Sequence, residues 1–130
     1  MSDNVPPVGK KVICVDFDGT LFQWGDLYEK KPPFVGAVDA VRAFKKAGYT
    51  IVIFTSRMSP TWWQDEGMDM KQAMKMQMGF CQKRLNDFGI PFDRITAEKV
   101  PAEYYIDDKA LRFEGKTHSW NEIRNLVLGQ

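Results

Sequence analysis

Short apolar runs alternate with helical patterns along this chain, and that alternation constrains the fold more than any other feature of the sequence. Residues 12–15 and 51–54 are continuous apolar runs of strand length, which are typical of buried parallel strands. Weaker runs lie at residues 92–96 and 104–106. Such runs separated by helices predict an α/β fold with a mostly parallel central sheet and helices on both faces.

Three stretches carry apolar residues at helical spacing. The first covers residues 38–47 and ends at Gly48, a typical helix stop. The second, residues 70–88, is rich in methionine; thioethers that fill gaps in a core explain this more simply than a cofactor or partner surface. Before the third, residues 119–122 read Ser-Trp-Asn-Glu, the order of a capping box.

The length of 130 residues suits one domain, which we predict over residues 11–130 behind a disordered polar lead at residues 1–10. No apolar run approaches the about 20 residues that span a bilayer, and the first residues lack a signal-peptide core. Cys14 and Cys81 fall within apolar patterns and are interpreted as buried thiols of a reducing compartment. We therefore expect a cytoplasmic protein with no membrane partner.

Polar residues follow three of the predicted strands at the point where each strand ends. Asp16 and Asp18 follow the first strand, residues 55–57 (Thr-Ser-Arg) follow the second, and Asp107 and Asp108 follow the fourth. In open parallel sheets, ligands bind beyond the carboxyl ends of the strands. We therefore expect several carboxylates, a hydroxyl group and a cation to converge at one edge of the sheet.

A magnesium site is the simplest explanation for the convergent carboxylates. Packed carboxylates repel one another unless a cation lies between them, and an all-oxygen ligand set suits Mg²⁺. Soft metals are not indicated, because His118 lies elsewhere in the sequence and the cysteines lack ligand spacing. Mg²⁺ is therefore the predicted cofactor.

The tetrapeptide that begins at Asp16 fits phosphoryl transfer. A carboxylate such as Asp16 can attack phosphorus and form an acyl phosphate, and Asp18 could protonate the leaving oxygen and then deprotonate water. Gly19 permits a tight turn that presents amide N–H groups to phosphate oxygens. The alternatives are a plain turn or a fragment of a calcium loop, and the preceding strand and second acidic strand end argue against both.

These residues also resemble a known family. Residues 16–21, Asp-Phe-Asp-Gly-Thr-Leu, resemble the first motif of the haloacid-dehalogenase (HAD) superfamily, a strand followed by DxDGT. The resemblance implies a Rossmann-like HAD fold with Asp16 as nucleophile. It implies Asp18 as general acid/base, with its backbone carbonyl also on Mg²⁺. Thr55 resembles the second-motif hydroxyl that binds the phosphoryl group. Asp107 and Asp108 resemble the fourth motif, with Asp108 the preferred metal ligand.

The third-motif lysine, which holds the nucleophile and phosphate by charge, has two candidates. Lys99 lies where small members of the family place it, and Lys109 directly follows the two aspartates. The resemblance extends over residues 12–120, where residues 21–35 suffice for a flap but not for a cap domain. Capless members accept large substrates or close their sites by oligomerising, so a homo-oligomer is one expectation.

We therefore predict a Mg²⁺-dependent phosphatase that forms an aspartyl-phosphate and acts on a small phosphorylated metabolite or nucleotide. Asp18 argues against a dehalogenase, and the order of the first motif argues against a receiver domain. The residues assigned to substrate binding are Gly19, Thr20, Ser56 and Arg57. Arg57 could contact a phosphate with two hydrogen bonds, although a surface arginine is an equal alternative.

Two other functions stay open. Thr-Ser-Arg and Ile-Asp-Asp-Lys also resemble the phosphatase domain of polynucleotide kinase/phosphatases, which implies a polynucleotide 3′-phosphatase. A net charge of +1 does not indicate a long nucleic-acid partner, because polymer affinity comes from neutralised phosphates. A non-catalytic HAD-like phosphate-binding or interaction module is less expected, because unused packed carboxylates cost stability. Trp62 and Trp63 could serve substrate, an interface or the core.

Overall fold

Strands and helices alternate as the sequence predicts. The computed structural model describes residues 11–24, 31–59 and 69–129, so the predictions for residues 1–10, Trp62 and Trp63 lie outside the described residues. The elements in chain order are β1 (Val12–Asp16), α1 (Ala37–Lys46), β2 (Thr50–Phe54), a 3-10 turn (Ser56–Met58), α2 (Met70–Asp87), β3 (Arg94–Thr96), β4 (Tyr104–Ile106) and α3 (Ser119–Leu128). Each of the four predicted strands and three predicted helices is present.

The sheet has four parallel strands in the order β3-β2-β1-β4. The chain steps from β1 to β2 to β3 in one direction and then returns to the other side of β1 to form β4. The strand order therefore reverses between β1 and β4, and in open α/β sheets the ligand crevice lies at such a reversal. The predicted α/β, Rossmann-like fold class is confirmed, and no cap domain is present within the described residues.

One face of the sheet supports the main hydrophobic core. Paired positions of parallel strands point to the same face, which places Ile13 with Ile51 and Val15 with Ile53. These side chains join one cluster with Val41 of α1 and with Cys81 and Leu85 of α2. Burial of each such side chain contributes about 1.5–3 kcal/mol, so helices α1 and α2 are held against this face. Among the helices of the described residues, none combines the length and apolar character needed to cross a membrane.

The two cysteines are buried and unpaired, as predicted. Cys14 lies on β1 and Cys81 on α2. Burial, with added repulsion from Asp16 and Asp107, raises the pKa of the Cys14 thiol to about 11. Burial raises that of Cys81 to about 12. Both groups are therefore neutral thiols at physiological pH and behave as small apolar side chains.

Helices α1 and α2 are followed by glycines, as their sequence patterns predict, whereas the start of α3 differs from the prediction. Gly48 and Gly89 follow α1 and α2 with φ of 96° and 68°, which glycine adopts at little cost. The predicted capping box at the last helix is wrong, because α3 begins at Ser119 itself and His118 occupies the N-cap position. The Ser119 hydroxyl accepts a hydrogen bond from the Lys116 backbone instead, and the turn that precedes the helix therefore displaces the cap by one residue.

Candidate active site

Three carboxylates meet where the strand order reverses. Asp16 ends β1, and Asp107 and Asp108 follow β4 directly. Because Val15 pairs with Ile106 in the neighbouring strands, the next residues of both strands emerge side by side at the carboxyl edge. One carboxylate oxygen from each of the three aspartates lies within 4.8 Å of those of the other two. The predicted convergence of Asp16, Asp107 and Asp108 is thus present in the structure.

Asp16 is strongly perturbed by these surroundings. Its side chain is half-buried, whereas Asp107 and Asp108 are exposed. Burial, together with the negative charges of Asp107 and Asp108, raises the pKa of Asp16 to about 7. Hydrogen bonds to Asp16 from the backbone of Phe17 and the hydroxyl of Thr20 act in the opposite direction. Three clustered carboxylates, with oxygen as the donor atom throughout, fit a hard divalent cation such as Mg²⁺.

The loop after β1 brings Asp108 against the backbone of Gly19. Gly19 has φ of 84°, and a Cβ atom there would lie 2.4 Å from both Asp108 Oδ2 and Trp24 Nε1. A side chain at this position would therefore displace part of the carboxylate cluster. The Gly19 amide donates to the carbonyl of Phe22 at 2.7 Å. The glycine therefore provides room for Asp108, and the presentation of amide N–H groups of this turn to phosphate oxygens stays a prediction.

The side chain of Asp18 lies outside the carboxylate cluster. Its Oδ2 accepts a hydrogen bond from Arg57 Nε at 2.7 Å, and its Oδ1 accepts one from Arg57 Nη2 at 3.0 Å. Both side chains are 6% exposed. The structure therefore joins two residues that the sequence assigned to separate roles, with Asp18 as acid/base and Arg57 as a phosphate ligand.

A second arginine lies beside this pair, and sequence reasoning missed it. The Arg84 guanidinium carbon lies 4.4 Å from the centroid of the Phe22 ring, and its pKa is lowered by burial and by the charge of Arg57. Nη2 of Arg84 donates to the carbonyl of Lys31. Arg84 lies in the methionine-rich helical stretch with a position on the buried face, and a charged residue at an apolar position was the available signal.

The remaining predicted substrate residues differ in their access to the site. Thr55 is 1% exposed, and its hydroxyl accepts a hydrogen bond from the backbone of Arg57 at 3.1 Å. Ser56 is exposed. The Thr20 hydroxyl donates to Asp16 Oδ2 at 3.3 Å. Thr20 therefore orients the carboxylate of Asp16, while Thr55 shapes the turn that carries Arg57.

The two candidate lysines occupy different positions around the cluster. Lys99 lines a cavity of about 660 Å³ that Asp16 and Asp107 also line. The ammonium group of Lys109 lies 5.0 Å from the centre of the Trp24 indole ring, and Trp24 Nε1 donates to Asp108 Oδ2 at 3.4 Å. Lys99 thus shares a cavity with Asp16, whereas Lys109 stacks on an aromatic ring beside Asp108.

Comparisons with known proteins bear on the fold. No protein-family model matches the chain, and no curated protein matches it. An MCSG target protein from Vibrio cholerae is similar at 25% identity, over 91% of this chain and 97% of that one, with a TM-score of 0.54. A conserved Bacteroides thetaiotaomicron protein is 20% identical over 91% and 89% of the two chains, with a TM-score of 0.46.

A third solved structure is that of a D,D-heptose 1.7-bisphosphate phosphatase from B. bronchiseptica in complex with magnesium and phosphate. It is 17% identical over 89% of this chain and 63% of that one, with a TM-score of 0.37. We take support for the fold from the Vibrio cholerae structure, and we take the chemistry from the residues of this chain.

Proposed function

We propose that this protein is a Mg²⁺-dependent phosphatase that acts through an aspartyl-phosphate on a small phosphorylated metabolite or nucleotide. The observation that carries the proposal is the group formed by Asp16, Asp107 and Asp108 at the reversal of strand order, in which one oxygen from each residue lies within 4.8 Å of the others. The resemblance of residues 16–21 to the first HAD motif supports the same chemistry. Raised pKa values at a cleft are typical of functional sites, and Asp16 has one.

The three aspartates would hold the metal ion. Mg²⁺ is usually bound by one or two carboxylates together with waters and substrate phosphate, so Asp16, Asp107 and Asp108 supply enough ligands. The resemblance adds the backbone carbonyl of Asp18. When bound, the ion offsets the repulsion between the carboxylates and an incoming phosphate.

The residues of this chain account for both halves of the reaction. A carboxylate oxygen of Asp16 attacks phosphorus, the bond from phosphorus to the ester oxygen breaks, and the leaving oxygen takes a proton from Asp18. Water then attacks phosphorus and gives a proton to Asp18. The bond from phosphorus to Asp16 breaks, and inorganic phosphate leaves. Because both oxygens of Asp18 accept hydrogen bonds from Arg57, the acid/base role requires Asp18 to turn away from that partner.

Positive charge and hydroxyl groups complete the proposed phosphate site. Lys99 lines the cavity that contains Asp16, so its ammonium group is the preferred cation for the phosphoryl oxygens. Thr55 is proposed to bind the phosphoryl group with its hydroxyl, as in the second HAD motif. Thr20 holds the carboxylate of Asp16 in one orientation, which favours attack on a bound phosphate.

A panel of phosphate esters tests the proposal. Purified protein is assayed against sugar phosphates, nucleotides and 3′-phosphorylated oligonucleotides, with and without Mg²⁺. We expect metal-dependent phosphate release that is lost in Asp16→Asn. It should be retained in Asp87→Asn, which changes an exposed aspartate at the end of α2 as a matched control.

Other outcomes of that assay would revise the proposal. Wild-type activity in Asp16→Asn would rule out Asp16 as nucleophile. A clear preference for the oligonucleotides would favour the polynucleotide 3′-phosphatase. No release from any ester would favour a non-catalytic binding module.

A further inference from the structure

The cavity beside the proposed phosphate site extends well beyond it. The space of about 660 Å³ is lined by Asp16, Asp107 and Lys99, and its wall continues along β4 to Leu111 and Arg112. Binding sites for small organic ligands have volumes of about 300–1,000 Å³. The cavity is therefore large enough for a phosphate ester with a sizeable leaving group.

Aromatic and aliphatic residues line the cavity outside the phosphate site. Phe54 and Tyr105 lie on the same face of the sheet as Cys14 and Asp16, because Phe54 pairs with Asp16 and Tyr105 pairs with Cys14. Both side chains are aromatic, and aromatic faces favour contact with another flat ring. A polyhydroxyl leaving group has no flat ring to place against these two side chains.

The ring of Tyr105 is held in place as part of this wall. Its hydroxyl donates to the carbonyl of Val100, and the ammonium group of Lys99 lies 5.2 Å from the ring centroid. The proposed phosphate cation and an aromatic wall residue are thus in direct contact. A ligand whose phosphate reaches Lys99 therefore has its leaving group beside the Tyr105 ring.

We propose that this cavity binds the leaving group of the substrate and selects nucleoside monophosphates. A nucleobase supplies the flat ring that the aromatic wall favours, and stacking of a base on an aromatic side chain tolerates any base. The proposal rests on the proposed phosphatase function and specifies its substrate class. Lys99 and Arg112 lie in the cavity wall together with Asp16, Glu103 and Asp107, so the aromatic faces and not the charge of the wall carry this choice of substrate.

The test compares two esters that differ in the presence of a ring. We define the preference as kcat/KM for adenosine monophosphate divided by kcat/KM for glycerol phosphate, both measured with Mg²⁺. Base–aromatic stacking predicts a preference of about tenfold to hundredfold in the unmodified protein. Leu111→Gln, which makes the cavity wall polar at similar size, should lower that preference several-fold. Leu126→Gln should not, because Leu126 is an exposed leucine of α3 that does not line the cavity.

A binding measurement separates failure of this inference from failure of the phosphatase function. The Asp16→Asn protein is titrated with each ester by calorimetry, in the presence of Mg²⁺. Tighter binding of adenosine monophosphate than of glycerol phosphate, weakened by Leu111→Gln, supports the cavity assignment whether or not any ester is hydrolysed. Equal binding of the two esters, or release of phosphate from both at equal kcat/KM, overturns it. Equal release would leave the phosphatase function intact.

Discussion

Arg57 donates two hydrogen bonds to Asp18, one of 2.7 Å from Nε to Oδ2 and one of 3.0 Å from Nη2 to Oδ1. Both side chains are 6% exposed. A paired carboxylate and guanidinium in this geometry is the strong, directional form of an ion pair. The pair fixes the side chain of Asp18 two residues from Asp16 but outside the carboxylate cluster.

Loss of Arg57 should destabilise the protein strongly. Arg57→Met would leave the Asp18 carboxylate buried without its partner, which costs about 3–5 kcal/mol. The free energy of unfolding at pH 7, measured by urea denaturation, checks this. The control is Lys83→Met, because the Lys83–Asp87 pair is exposed and should change the free energy by only about 0.5 kcal/mol. Similar losses of unfolding free energy in the two variants would show that the buried Arg57–Asp18 pair stabilises the protein no more than an exposed pair does.

Substitution of Gly19 should weaken the binding of Mg²⁺ by more than its effect on the stability of the fold would explain. In Gly19→Ala the new Cβ would lie 2.4 Å from Asp108 Oδ2, so the carboxylate cluster must open. Gly36→Ala is the matched control, because Gly36 has a similar φ of 89° and no atom within 4 Å of the added Cβ. Both variants carry a backbone strain of about 1–2 kcal/mol. Calorimetric titration with Mg²⁺ should show weakened binding in Gly19→Ala alone, and equal affinities would contradict this.

Removal of the Asp16 charge should stabilise the metal-free protein at high pH. Because the folded pKa of Asp16 is about 7 and the unfolded value is about 3.9, ionisation of Asp16 disfavours the folded state. The part of the folding free energy that depends on protonated Asp16 is therefore fully present below about pH 4. It is lost as the pH rises through about 7. Discounted for partial exposure, Asp16→Asn should gain about 1–2 kcal/mol at pH 8 without metal.

Thermal unfolding of Asp16→Asn and the unmodified protein at pH 4 and pH 8 checks that expectation. The two melting temperatures should be close at pH 4, and the variant should melt higher at pH 8 in chelator. Added Mg²⁺ should narrow the difference, because a ligand that binds the folded state stabilises it. A variant that melts lower than the unmodified protein at pH 8 in chelator would contradict burial and neighbouring negative charge as the cause of the raised pKa of Asp16.

Asp93 should stabilise the fold only while it is ionised. Burial acts to raise the pKa of Asp93, but hydrogen bonds from Lys45 and the Ile51 backbone, with the charge of Lys45, lower it overall. The stabilisation is therefore present above the unfolded pKa of about 3.9 and is lost as the pH falls through the lower folded value.

Urea denaturation of Asp93→Asn at a series of pH values measures this effect. At pH 7 the variant should lose about 0.5–1.5 kcal/mol, because the Lys45 pair is partly exposed and one backbone hydrogen bond weakens. The loss should shrink as the pH drops below about 4. A loss that is the same at every pH would show that the charge of Asp93 contributes nothing.

Local patterns in the sequence were sufficient to predict the strands, the helices and part of the candidate site. Apolar runs of strand length predicted β1 and β2, and helical spacing predicted α1 and α2, because burial selects apolar residues at fixed periods. The meeting of Asp16 with Asp107 and Asp108 was also predictable, since parallel strands end at the same edge. The displaced cap at Ser119 was not, because it depends on the turn that precedes the helix.

The sequence by itself determined the strands, the helices and the three carboxylates that gather at the strand ends, because these follow from the period of apolar residues and the direction of parallel strands. Only the tertiary structure decided the partner of each side chain. It paired Arg57 with Asp18, placed Asp108 against Gly19 and put Lys99 in the cavity of Asp16. These contacts join residues far apart in the chain, and they depend on strand order and side-chain orientation, which no local pattern encodes.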